Sequence, residues 1–328
     1  MTRTETEAVT TNSRGARSKR TRAPRGGAPR RVHRDHLARA RNRAGLIYAA
    51  PALVLIVAFF LIPLGLMFWM SLNNWPLLGV VHRFVGADNY AGVVSDGQFW
   101  QSLLFTLKYT VIVTPIQIVL GYGLAMLVRR KIRGVAFFRT TFFFPVVVGF
   151  ASGAYIFLVL IQPDSGFFDQ VLQRLGLTHT GLPWLSNSNL ALFVVVLMIT
   201  WKTVGTAVIL LMVGMQAIPE DVGEAALVDG AGKWRRELYI TLPLMRSSIA
   251  LVLILTITGS FLAFDQFFVM THGGPNQSTV TIVMWIYTTA FVQYRLGYSA
   301  ALSIALLIIL IIFTILQVRS LRDRGSES

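Results

Sequence analysis

The 328-residue chain contains no cysteine. Disulfides, thiolate metal sites and a cysteine nucleophile are therefore excluded. Histidine is sparse: His33, His36, His82, His179 and His272 are scattered, and no metal site is expected from them. Acidic residues are few, 15 against 30 Lys and Arg, which leaves a net charge of +15. In a soluble protein that excess would point to nucleic acid. Here the basic residues sit in the tails and in two loops, so no nucleic-acid partner is expected. Charge of either sign is rare, 14% of the chain, while hydrophobic residues make up 54%. Several apolar runs are longer than a soluble core helix needs. About 20 apolar residues cross about 30 Å of hydrocarbon, so the class is an all-α, polytopic membrane protein.

Residues 1–44 hold thirteen Lys or Arg among Gly, Pro, Ser and Thr. Such a segment cannot bury enough surface to offset its ordering entropy, and a disordered basic tail is predicted. The run after it is too long for a signal peptide and has no small-residue cleavage site. Residues 45–101 read as a first membrane helix with an external loop, 102–318 as the main membrane domain, and 319–328 as a second tail. Six spans are expected at about 45–70, 102–128, 137–161, 190–214, 249–270 and 297–318. Pro63, Pro115 and Pro145 fall inside spans and are read as kinks. Residues 278–291 are apolar but short, and read as an interfacial or re-entrant helix.

Orientation follows from charge. With a cytoplasmic N-terminus, the tail, the loops 129–139 and 215–246 and the end from Arg319 hold 25 of the 30 basic residues. The opposite side holds Arg83, Arg174 and Arg295. An excess of Lys and Arg marks the cytoplasmic side, so both termini are expected there.

The loop 215–246 carries the most specific signal. Pro219 suits a helix start, Glu220, Asp221 and Glu224 favour its N-terminal dipole, and Gly230 and Gly232 should end it. A second short helix should begin near Lys233. Glu224, Ala225 and Ala226, then Asp229, Gly230 and Ala231, then Ile240, Leu242 and Pro243 stand at a fixed spacing. This pattern resembles the cytoplasmic coupling loop of importer permeases of the ATP-binding-cassette superfamily. Where those permeases usually have an aromatic residue, Glu237 stands here, with Leu238 beside it. The resemblance implies a type-1 importer permease fold with six transmembrane helices. It also implies a second permease subunit, a separate ATPase dimer seated on this loop, and an extracytoplasmic solute-binding protein.

The fragment Gly230–Lys233 is no phosphate loop. Leu227 stands where the first glycine is required, and Trp234 where Ser or Thr must follow the lysine. No cofactor is expected on this chain, and ATP and Mg would belong to the ATPase subunit. No convergent nucleophile or metal constellation suggests an enzyme. Phe84, Val85, Gly86, Asn89 and Tyr90, Gly166 to Trp184, and Thr271, Gly273, Gly274 and Pro275 resemble the carbohydrate-uptake branch of these permeases. Asp169 replaces a usual Asn there, and His272 a usual Gly. The resemblance therefore implies sugar import across the inner membrane by alternating access. A permease for another solute, and an ion-gradient-driven secondary transporter, are the rival readings. Within the spans, Trp201, Lys202, Asp265 and Gln266 are the candidate pathway residues, because a charge in hydrocarbon needs a cavity or a partner. Lys202 paired with Asp265, or with an acid on a partner subunit, is the structural alternative. Lys108 should snorkel, and Trp75, Trp100, Trp184 and Trp285 should belong to the interfacial belt.

Overall fold

The computed structural model describes residues 48–79, 82–129 and 134–322. The expectations for residues 1–44, and those for 323–328, lie outside the described residues. The chain divides into two units, one up to Leu61 and one from Ile62 onward. In the first, the described residues 48–61 are helical, fully apolar in character and exposed, with a π-helical turn at Val57–Leu61. Tyr48–Ser71 is long and apolar enough to count as a membrane span.

The second unit opens with α1, Ile62–Ser71, followed by a two-stranded antiparallel ribbon of Asn73–Asn74 and Arg83–Phe84. Asn89, on the short helix α2 (Asp88–Ser95), laces this turn. Its amide donates to the Ser71 carbonyl (2.8 Å) and the Asn73 carbonyl (3.0 Å), while Tyr90 Oη lies 2.6 Å from Ser71 Oγ.

Helix α3, Gly97–Arg129, runs unbroken through Pro115. After it come α4, Val135–Val147, and α5, Phe150–Leu160. A short helix, α6 (Phe167–Arg174), leads to the long α7, Ser188–Gln216. Asn187 caps α7, its side chain accepting from Asn189 N–H. Helix α8, Glu220–Val228, and α9, Lys233–Leu244, form the loop region. They are followed by α10, Arg246–Phe261, and α11, Asp265–Met270. The chain ends with α12, Ile282–Tyr287, prolonged by a π-helical turn at Thr288–Val292, and then α13, Leu296–Arg322.

Four helices are long and apolar enough to cross a bilayer unaided, or six if each of two bent pairs makes one crossing. The expected third span is one of these pairs: α4 and α5 meet at 103° across Val148 and Gly149. This corrects the reading of 137–161 as one kinked rod. Two contacts from α7 fix the break. Gly205 lets the Phe142 backbone approach so closely that a Cβ there would collide with the Phe142 carbonyl. Lys202 binds the carbonyls freed at the end of α4. The expected fifth span also breaks, between Phe261 and Asp265. Thr281 Oγ1 donates to the Ala263 carbonyl there (2.7 Å), so the interrupted ladder is satisfied from a neighbouring segment.

Helix α7 is the centre of the unit and packs against α3, α4, α5, α10 and α11. Tyr109, Met198 and Phe267 are buried between α3, α7 and α11, and Ala207, Leu211, Met215 and Met245 between α7 and the start of α10. A second core of Phe99, Phe261, Ile282 and Leu302 joins α3 and α10 to α12 and α13. Helix α12 is too short to span. It packs against α3 and α13, and its Ile282 N–H donates to the buried Thr106 Oγ1 (3.0 Å).

The loop between α5 and α7 is organised around a carboxylate. Asp169 is fully buried and accepts from Asp164 N–H (2.9 Å), Leu182 N–H (3.0 Å) and the Trp184 indole (2.8 Å). Trp184 is thus a buried loop anchor rather than a belt residue. His272 adopts a positive φ of 49°, the conformation in which glycine is unstrained.

Candidate functional site

A cavity of about 350 Å³, within the size range of small-ligand sites, lies among α3, α7 and α10. Its polar lining comes from positions three, four or eight residues apart on these helices: Thr203 and Thr206, Thr256 and Ser260, Tyr109 and Gln117. Residues at that spacing share one helix face. The break after α10 adds Phe264, Asp265 and Gln266, and Phe150 closes the wall from the start of α5. Gln117 Nε2 donates to Thr203 Oγ1 (2.6 Å), and Gln266 Nε2 to Tyr109 Oη (3.3 Å).

Of the four candidate pathway residues, Asp265 and Gln266 line this cavity, and Trp201 and Lys202 do not. Trp201 packs against Phe157, with ring centroids 5.6 Å apart. Lys202 is 4% exposed; its Nζ donates to the Val146 carbonyl (3.3 Å) and to the Val148 carbonyl, and lies 4.4 Å from the Phe150 ring centroid. The Lys202–Asp265 pair, the structural alternative to pathway lining, is therefore not formed. The ammonium instead neutralises a helix C-terminus, where carbonyls lack intrahelical donors. Lys202 meets the cavity only through Phe150. Sequence reasoning missed Tyr109, Gln117, Thr203, Thr206, Thr256 and Ser260. Polar pairs at helical spacing inside apolar runs were the available signal. Lys108 reaches Asn189 Oδ1 (3.4 Å) at the end of α7.

The loop between α7 and α10 folds as two helices, α8 and α9, and α9 meets α10 at 70°. Helix α8 ends in a tight turn: Ala231 N–H reaches back to the Ala226 carbonyl (2.9 Å), with Gly230 left-handed at φ 74°. Gly232 then precedes α9. Ala226 is buried, whereas Glu224, Ala225, Asp229 and Pro243 are exposed and Ala231 and Leu242 half-buried. Glu224 lines a cleft with Arg129 and Arg236. Glu237 turns inward and accepts from Tyr122 Oη of α3 (2.7 Å). Leu238, Trp234 and Tyr239 are exposed, as are Leu227 and Val228 of α8. Among the described residues, no three His, Asp or Glu side chains converge to hold a metal.

Residues 90–324 match the family described as binding-protein-dependent transport system inner membrane component. The chain is 34% identical over 275 residues to the multiple sugar-binding transport system permease protein MsmF of Streptococcus mutans, covering 84% of this chain and 94% of that one. It is 31% identical over 283 residues to the probable ABC transporter permease protein YurN of Bacillus subtilis (86% and 97%). To the trehalose/maltose transport system permease protein MalF of Thermococcus litoralis it is 30% identical over 285 residues (86% and 95%). Among solved structures, a bacterial ABC transporter that imports the acidic polysaccharide alginate aligns with a TM-score of 0.76 at 19% identity, covering 88% of this chain and 99% of that one. The fold is that of a type-1 importer permease. A multi-pass membrane protein whose helices enclose a cavity, and whose sequence matches this family over most of its length, belongs to the binding-protein-dependent transport system inner membrane components.

Proposed function

We propose that this chain is one of two membrane-spanning permease subunits of an ATP-driven importer that carries a sugar or sugar derivative across the bacterial inner membrane. Both termini face the cytoplasm in this reading, as the distribution of Lys and Arg favours. The observation that carries it is mechanical. Helices α7 and α10 both line the cavity, and both run directly into the loop containing α8 and α9. Movement of that loop therefore moves two cavity walls. The exposed apolar side chains of Leu227, Val228, Trp234, Leu238 and Tyr239 on the loop suit docking of a separate protein, here an ATPase dimer that holds ATP and Mg. An external solute-binding protein delivers the substrate, and the cavity alternates between outward and inward access. The sugar systems named among the relatives, together with the hydroxyl- and amide-lined cavity, favour a polyhydroxylated solute.

The test uses the assembled transporter in proteoliposomes. Gly230→Pro, which removes the left-handed turn, and Glu224→Lys, which reverses charge beside Arg129 and Arg236, should abolish ATP-dependent uptake while both proteins remain inserted. Normal transport by both variants would reduce the loop to a connector.

A further inference from the structure

The sugar reading leaves the charge of the sugar open, and the cavity bears on it. Among the described residues lining it, Asp265 carries the only formal charge. It is exposed to the cavity and has no ion-pair partner among the described residues. The two lysines of the adjoining spans face elsewhere, Lys202 on the carbonyls at the end of α4 and Lys108 on Asn189. The neutral groups lean the same way. The Gln117 amide nitrogen is engaged by Thr203 Oγ1 and the Ile199 carbonyl (3.5 Å), and that of Gln266 by Tyr109 Oη. Both amides are thus tied up within the wall, and the exposed acceptor the cavity presents is the Asp265 carboxylate.

Acceptors suit hydroxyl donors. A carboxylate binds hydroxyls through short charge-assisted bonds, so adjacent hydroxyls of a neutral sugar satisfy Asp265. A phosphate, carboxylate or sulfonate needs donors and positive charge. In this cavity it meets hydroxyl donors but no positive charge among the described residues, and the Asp265 carboxylate repels it. Resting on the sugar reading above, we propose that this cavity selects an uncharged polyhydroxylated solute and rejects sugar phosphates and sugar acids. Asp265 is the specificity-determining residue.

The experiment uses the transporter assembled with its partner permease and ATPase in nanodiscs, without the binding protein, so that any selection belongs to the membrane subunits. Binding of radiolabelled neutral and anionic counterparts is compared: trehalose with trehalose 6-phosphate, maltose with maltobionate, and glycerol with glycerol 3-phosphate. The neutral member of at least one pair should bind at least tenfold more tightly. Asp265→Asn should shrink that gap by about tenfold, equivalent to about 1.4 kcal/mol, and Asp265→Lys should reverse it. Asp265→Glu should keep it, which separates charge from shape. Equal or tighter binding of the anionic members by the wild type overturns the proposal, as does a gap that survives Asp265→Asn. If the wild type binds no sugar of either kind but imports an amino acid with ATP, the sugar reading itself fails.

Discussion

Lys202 offers the sharpest test of the packing argument. Replacing it with Met keeps the apolar stem and removes the ammonium, leaving the Val146 and Val148 carbonyls at the α4–α5 break without their donor. A hydrogen bond to a charged group contributes about 1.5–3 kcal/mol in water-soluble proteins, whereas interhelical polar bonds in membranes average about 0.6 kcal/mol. The attraction to the Phe150 ring adds about 1 kcal/mol. Against this, removing a cation from the span relieves part of its insertion cost of about 2.5–3.5 kcal/mol. Little of that cost is recovered, because the ammonium is already solvated by the carbonyls it binds, and Met leaves those carbonyls without a donor. The net loss should be about 1–3 kcal/mol. In a chain of this size that is about 2–6 °C in Tm, measurable by heating the solubilised transporter and following the monodisperse fraction. Lys202→Arg should recover most of it. The substrate concentration for half-maximal uptake should stay within about twofold, since Lys202 does not line the cavity. Lys202→Met combined with Asp265→Asn should show only the sum of the two single effects. Unchanged stability with weakened uptake would refute the bracing role. Recovery of assembly in the double variant would do the same, because it would reveal in the wild type an ion pair that the structure lacks.

Asp169→Ala removes three hydrogen bonds to a fully buried carboxylate and should lower stability by about 3 kcal/mol or more, with a fall in expression; Asp169→Asn should cost less, since its carbonyl oxygen still accepts. Tyr122→Phe cuts the tie between α3 and Glu237. It should leave insertion intact and lower solute uptake per ATP hydrolysed, and an unchanged ratio would show that the contact carries no force. Reporter fusions after Arg133, Lys233 and Arg324 should read cytoplasmic and those near Asp88, His179 and Pro275 external. An external C-terminus would contradict the six-crossing arrangement.

The sequence alone determined the membrane class, the approximate spans and the fold of the loop between α7 and α10, because these depend on local chemistry. Apolar runs of membrane length, a proline before α8, and glycines after it act through propensity and backbone geometry within a few residues. The motif Glu224 to Pro243 was legible for the same reason, being set by spacing along the chain. Only tertiary structure decided where two of the expected spans break. Helix α4 stops at Val147 because Lys202 of α7, more than fifty residues later, donates to the carbonyls at its end, and Gly205 admits its close approach. Segment 262–264 opens because Thr281 takes up its carbonyl. The partner of Lys202 was equally out of reach, since span depth places Lys202 and Asp265 at similar levels without saying which faces they occupy. The cavity wall depended on helix rotation as well. Packing turned Thr203, Thr256 and Asp265 toward one space, and turned Lys202 away from it.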